Sequence, residues 1–389
     1  MTKLLILTAG FGEGHNAAAR NLAAAGDALQ GPGTTRVADL FALTSPRINW
    51  IARRGYLAAI NRTPGLWSAF YRWVDRTAIF PRHLWLMHKE LGQLALLVQR
   101  EQPAVICSTF PAYGFLLEHL ARNGRLIAPF YNVVTDSISI NSLWARPACT
   151  GWFVPNEDTA DVMRAQGVPA ARLHVLGFPV PAFFSEHAHH LAPPDLARGA
   201  APRVLYIMHS GVRHAWATAR RLLSDTDWEL TFAVGRDEHL RRRLEGVAAA
   251  RPHPTQILGW TNEVPRLLLT HHVVISKAGG ATVQEAIAAR CPMLVNQVVP
   301  GQEEGNYELL RRHGIGALVE TPKAVVDTLR QAFADQGAVW RKWRGAFAPL
   351  VRPDASRAIA SQLLAAFARP QTKPTGTGAE IVNHPGQSI

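Results

Sequence analysis

Cysteine is scarce in this 389-residue chain, with three in all at Cys107, Cys149 and Cys291, and no two of them form a C-x-x-C pair. That leaves neither a disulfide framework nor a zinc-binding spacing, and it fits a reducing, cytoplasmic home. Long apolar runs are missing too. None reaches the ~18 residues that would suggest a membrane-spanning helix. The apolar start Met1–Gly10 is too short for a secretory leader and is followed by Glu13 and His15, so it reads as a buried first strand. Acidic residues are in deficit, 29 against 41 Lys and Arg. A surplus of this sign draws polyanions: nucleic acid, an anionic membrane surface or phosphorylated substrates.

What the chain does have is alternation. Short apolar strands alternate with helical stretches from Lys3 to Leu176, and again from Arg203 to His313. This is the pattern of parallel sheets with crossover helices, an α/β chain. Between the two series lies a stretch rich in Pro, His and Ala, read as a linker. The sequence thus predicts an N-terminal domain over 1–181, a linker over 182–202 and a second domain over 203–350. A helix over 351–370 would be free to pack back on the first half, and a disordered tail over 371–389 would follow. Two doubly wound, Rossmann-like domains of this kind hold ligands beyond the carboxyl ends of their strands, in the cleft between them.

Three stretches carry chemistry. Gly10-Phe-Gly-Glu-Gly-His15 lies between the first strand and helix. Gly12 and Gly14 let the backbone approach a ligand, and the helix start favours anions. The glycines do not have the dinucleotide-binding spacing, and no phosphate-loop Lys-Ser/Thr follows. His15 is either a polar cap of the helix or a general base, since imidazole titrates near neutrality. The second stretch is Ser276-Lys-Ala-Gly-Gly-Ala-Thr-Val-Gln-Glu285. Ser276, Lys277, Gly279, Gly280 and Thr282 would form a nest for a diphosphate. Glu285 either compensates the helix dipole or accepts from both ribose hydroxyls. In the third, Val299-Pro-Gly-Gln-Glu-Glu-Gly-Asn306, the residues Gly301, Gln302, Glu303 and Asn306 offer the mixed donors and acceptors that suit a sugar.

These two later stretches together resemble the donor site of the monogalactosyldiacylglycerol synthases and processive diacylglycerol glucosyltransferases. Gly10–Ala19, Val133-Val-Thr-Asp136, Gly177-Phe-Pro-Val180 and Gly259-Trp-Thr-Asn262 extend the likeness over most of Met1–Gly314. The resemblance implies the GT-B architecture, a UDP-sugar donor, no cofactor or essential metal, and inversion at the anomeric carbon. It implies that Glu285 holds the ribose, that Gly279, Gly280 and Thr282 face the diphosphate, and that Gln302 and Glu303 hold the sugar. Trp260 would lie near the base. His15 would be the general base, with Asp136 the second candidate. Two segments depart from the family pattern. Asn141-Ser-Leu-Trp144 stands where relatives commonly have His-Pro-Thr-Trp, and Met208-His-Ser-Gly-Val212, with Ser210 and Gly211, replaces a glycine-rich turn.

Between Ser45 and Gly92 only Asp75 and Glu90 oppose eight cationic residues, including Arg53, Arg54, Arg72 and Arg76, and aromatic rings such as Trp67 and Trp73 are interleaved with them. Such a mixture suits a lipid headgroup interface, although base stacking or ordinary helical packing would use the same residues. The family resemblance favours the membrane, where the corresponding insertion is associated with the lipid acceptor. The resulting expectation is a peripheral enzyme on the cytoplasmic face of an anionic membrane, glycosylating a lipid such as diacylglycerol without nucleic acid as partner. The alternatives are a polyprenyl-linked acceptor or sugar-nucleotide epimerisation.

Overall fold

The computed structural model describes residues 2–10, 12–45, 84–209, 214–299, 301 and 303–368. The predicted membrane residues Arg53, Arg54, Trp67, Arg72, Trp73 and Arg76 lie outside the described residues, as do Ser210, Gly211, Gln302 and the tail.

The strands of the first half are β1 (Leu4–Thr8), β2 (Thr35–Asp39), β3 (Val105–Ser108), β4 (Phe130–Val133), β5 (Gly151–Val154) and β6 (Leu173–Val175). All pair in parallel, in the order β2-β1-β3-β4-β5-β6. The second half contributes β7 (Arg203–Ile207), β8 (Glu229–Gly235), β9 (Thr255–Gly259), β10 (Val273–Lys277), β11 (Met293–Gln297) and β12 (Gly316–Leu318). These are parallel as well, in the order β12-β11-β10-β7-β8-β9. Leu4 to Leu7 are wholly buried, as are Val273 to Ile275. Continuous apolar strands of this kind arise because helices cover both faces of a parallel sheet.

The helices are α1 (Glu13–Gln30), α2 (Leu40–Thr44), α3 (His88–Glu101), α4 (Tyr113–Arg122), α5 (Glu157–Ala165), α6 (Phe183–His187), α7 (Ala215–Asp225), α8 (Glu238–Ala248), α9 (Val264–Thr270), α10 (Gly280–Ala288), α11 (Glu304–His313), α12 (Pro322–Gly345) and α13 (Ala355–Ala368). Helix α13 returns to the first half, packing on α1 with Ile359 and Leu363 in the same cluster as Leu4, Ile6 and Leu22. The stretch over 182–202 is not a bare tether. It holds α6, whose Phe184 is fully buried, and Leu196 belongs to the core of the second half. Burying one phenylalanine contributes ~1.5–3 kcal/mol, and α6 packs on α9 of the second half.

Each sheet has one place where the strand order reverses, between β1 and β3 in the first half and between β7 and β10 in the second. Ligands of open α/β sheets bind at these points, beyond the carboxyl ends of the strands. The chemistry-bearing stretches follow β1, β10 and β11.

Candidate active site

The glycine-rich loop after β1 is held from below by Asp39 at the end of β2. One Asp39 oxygen accepts from the Gly10 N–H at 3.0 Å while the other caps α2 by accepting from Ala42 N–H at 3.0 Å. Gly12, the residue before α1, has φ 148°, which a side chain rarely allows. His15 follows in the first turn of α1, half-buried, with its main-chain carbonyl accepting from the Thr109 hydroxyl at 3.1 Å. Its ring stands edge-on to Phe110, with centroids 5.4 Å apart, and 6.3 Å from the ring of Trp144. Nδ1 lies 2.8 Å from the Thr135 hydroxyl just beyond β4, and Nε2 has no partner among the described residues. Burial lowers the His15 pKa, and the negative charge of Asp136 works the other way. A neutral imidazole with one uncommitted nitrogen is competent to take a proton at neutral pH.

Asp136 lies beside His15 but is tied elsewhere. Its Oδ2 accepts from the indole N–H of Trp144 at 2.8 Å, and Trp144 is completely buried. Trp152 on β5 in turn donates its indole N–H to the Trp144 carbonyl at 2.7 Å. The Asn141 side chain accepts from Leu143 N–H at 3.0 Å and starts the short turn that presents Trp144. The departing segment Asn141–Trp144 therefore keeps a tryptophan that grips Asp136.

Across the cleft, α10 begins at the Gly279-Gly280 turn. The first N–H groups of a helix have no partner within it and carry the positive end of its dipole. A side chain at Gly14 would meet the Ala281 nitrogen at 3.9 Å, and one at Gly280 would meet the Thr135 carbonyl at 3.5 Å. The two switch points thus face each other at van der Waals range. Gly305 packs directly on the backbone of Ser137 and Ser139, where any Cβ would collide. Gln284 donates to the Ser137 hydroxyl at 3.0 Å from a buried position. So the turn that carries Thr135 and Asp136 is clasped by both βα loops of the second half.

Within the second half, Ser276 is fully buried and its hydroxyl lies 3.1 Å from His209 Nε2, joining the ends of β10 and β7. Burial, helped by the neighbouring Lys277 charge, holds His209 down at about 4. Lys277 pairs with Glu303, whose carboxylate is buried, and the other Glu303 oxygen accepts from Val299 N–H at 3.1 Å. One Glu303 oxygen is therefore engaged by the end of β10 and the other by its own loop. Asn306 donates to the Ala278 carbonyl at 3.1 Å, and its buried Oδ1 has no partner among the described residues. Thr282 is half-buried in the first turn of α10, Gly301 is half-buried in the loop before α11, and Trp260 is exposed at the end of β9.

Glu285 stands apart. It faces Arg20 and Glu13 of α1, and its carboxylate has no hydrogen-bond partner among the described residues. Burial raises it to about 7; Arg20 opposes the rise and Glu13 adds to it. An uncommitted carboxylate near a helix N-terminus can accept from a pair of ligand hydroxyls. Beside this cleft, a cavity of about 800 Å³ opens at the ends of β7 and β8, lined by His209, His214, Trp216, Arg236 and Asp237 among others. Among the described residues no group of three or more His, Cys, Asp or Glu is placed to hold a metal ion.

Sequence reasoning assigned no role to Thr135, Trp144 or Gln284, although each lies in a stretch already singled out: Val133–Asp136, Asn141–Trp144 and Ser276–Glu285. Their roles come from tertiary packing, which places Thr135 on the His15 ring, Trp144 on Asp136 and Gln284 on Ser137.

The chain is similar to known proteins in both sequence and fold. Residues 15–180 match the family model of monogalactosyldiacylglycerol (MGDG) synthase. The processive diacylglycerol beta-glucosyltransferase of Bacillus cereus (strain AH820) is 26% identical over 373 residues, covering 93% of each chain. Among solved structures, MurG of Acinetobacter baumannii superposes with a TM-score of 0.59 at 12% identity, over 93% of this chain and 99% of that one. The S. aureus MnaA-UDP structure superposes equally well, TM-score 0.59 at 12% identity, over 96% and 99%. With two six-stranded parallel sheets the chain has the GT-B fold of a glycosyltransferase, and over residues 15–180 it is similar to the monogalactosyldiacylglycerol synthases.

Proposed function

We propose that the chain transfers a sugar from a UDP-sugar to the hydroxyl of a membrane lipid such as diacylglycerol, inverting the anomeric carbon in a single displacement. The observation that carries this reading is the pairing of a histidine with a free Nε2 and a helix N-terminus with a free Glu285 across one narrow cleft. Glu285 accepts from the ribose hydroxyls, and the amides of the Gly279–Thr282 turn face the diphosphate. His15 takes the acceptor proton at Nε2 as the acceptor oxygen bonds to the anomeric carbon. The bond from that carbon to the phosphate oxygen breaks, and UDP leaves with the electron pair. The α10 dipole stabilises the departing charge. On this reading Asn306 Oδ1, unpartnered among the described residues, accepts from a hydroxyl of the donor sugar.

The lipid acceptor draws support from the names of the relatives and from the basic, aromatic stretch between Ser45 and Gly92. Described residues beside and within that stretch expose apolar side chains: Leu43 at 52%, Trp85 at 68% and Leu86 at 54%. No helix among the described residues is long and apolar enough to cross a membrane, so on this reading the protein meets its lipid from the surface.

The test is a donor screen. UDP-glucose, UDP-galactose and UDP-N-acetylglucosamine are each incubated with diacylglycerol in anionic vesicles, and products are resolved by mass. One glycolipid is expected, with His15→Ala inactive. Donor turnover without any glycosylated lipid would overturn the acceptor assignment.

A further inference from the structure

The charge of Asp136 acts on His15, and a carboxylate is the usual partner for orienting a catalytic imidazole. Here it cannot serve that way as placed. Its Oδ2 is committed to the Trp144 indole, itself anchored by Trp152, and no hydrogen bond links it to His15. The group that touches the ring is the Thr135 hydroxyl, 2.8 Å from Nδ1 and 4% exposed. Its neighbours leave it little freedom. The Thr135 carbonyl abuts the Gly280 turn, and Ser137 two residues on is held by Gln284. On the opposite side Thr109 fixes the His15 carbonyl, and Phe110 packs edge-on against the ring.

A hydroxyl can accept from Nδ1–H or donate to a bare Nδ1. The two arrangements have opposite consequences for the cleft. With the proton on Nδ1, the Nε2 lone pair faces the acceptor and the ring can act as a base. With the proton on Nε2, the ring can only donate. The first arrangement also survives proton uptake unchanged, because the imidazolium still donates from Nδ1 to the same oxygen. We propose that Thr135 is the positioning residue that holds the neutral His15 as its Nδ1–H tautomer, leaving Asp136 to act on the ring through its charge alone. The inference rests on His15 being the base proposed above, but it is read without any turnover.

The experiment is long-range proton–nitrogen NMR of the histidine-labelled full chain at pH 8, with the His15 signals identified by their loss in His15→Gln. A pyrrole-type Nδ1 and a pyridine-type Nε2 are expected in the unmodified protein. Thr135→Val should shift His15 toward the Nε2–H form that free imidazole prefers and lower kcat about 10–100-fold with the donor KM unchanged. Thr135→Ser should restore both. An Nε2–H tautomer in the unmodified protein overturns the proposal, and so does a Val variant that matches the Ser variant in spectrum and kcat. An active His15→Ala enzyme would instead break the assignment of the base while leaving the tautomer measurable.

Discussion

The two halves of the molecule share a layout and differ in how their switch points are furnished. At the β1/β3 point the side chains are oriented by neutral hydroxyls and indoles: Thr135 and Thr109 on His15, Trp144 on Asp136. At the β7/β10 point the side chains are locked by charge and by buried imidazole, Lys277 on Glu303 and His209 on Ser276, while Glu285 has no hydrogen-bond partner among the described residues. The first arrangement suits a group that must change protonation without moving. The second suits an anion that arrives, is held and leaves. On the proposed function, one architecture, used twice, is divided between proton transfer and binding.

Four changes would break or sharpen that contrast. Lys277→Met leaves Glu303 buried without its cation. Removing one partner of a buried pair costs about 3–5 kcal/mol, so denaturant unfolding should show a loss near the low end of that range, given the partial exposure of Lys277. Unfolding followed against pH should register the buried histidines. His209, His271 and His272, all in the second half, are held at about 4 by burial, against an ordinary value of 6.5. In each case the folded state resists a proton that the unfolded chain accepts. Their contribution is therefore complete above pH 6.5 and is lost progressively as pH falls toward 4. The unfolding free energy from urea titrations should drop across that window, by about 3 kcal/mol for each histidine that stays neutral when folded.

Donor binding should have a pH dependence of its own. Glu285, raised to about 7, must be ionised to accept from two hydroxyls. Affinity for a UDP-sugar, measured by calorimetry, should be level above pH 8 and weaken up to about tenfold per unit below pH 7. Glu285→Gln should flatten that profile. Trp260 gives the smallest effect. Exposed as it is, its change to Ala should leave stability within about 0.5 kcal/mol, and only donor affinity should respond if it meets the base.

Much of this was legible in the sequence, and the reasons differ by element. Strands such as Leu4–Thr8 and Val273–Lys277 announce themselves because both faces are buried and the apolar run is continuous. Edge strands β2 and β12 do not: Thr35–Asp39 buries only Ala38, and Gly316–Leu318 buries nothing fully. The connection over 182–202 reads as linker from its prolines and histidines, yet one buried Phe184 and one core Leu196 anchor it. In the site, motif residues His15, Ser276, Gly280 and Glu285 stand out because they sit at glycine turns after strands, each ambiguous alone and less so when two such turns lie on adjacent βα units. The partners that set their behaviour come from distant elements. Thr135 is 120 residues from His15, and Glu303 is 26 residues from Lys277, so neither contact is written in any local spacing.

The division of labour is tested most directly by measuring two quantities side by side in His15→Ala and Glu285→Ala: affinity for the UDP-sugar, and single-turnover transfer at saturating donor. The account predicts a crossover. His15→Ala should bind the donor within about threefold of the unmodified protein and transfer at least ~10²-fold more slowly, while Glu285→Ala should bind about 10–100-fold more weakly and recover most of its transfer rate once saturated. If both variants lose binding and turnover in the same proportion, the two halves do not divide the reaction as described.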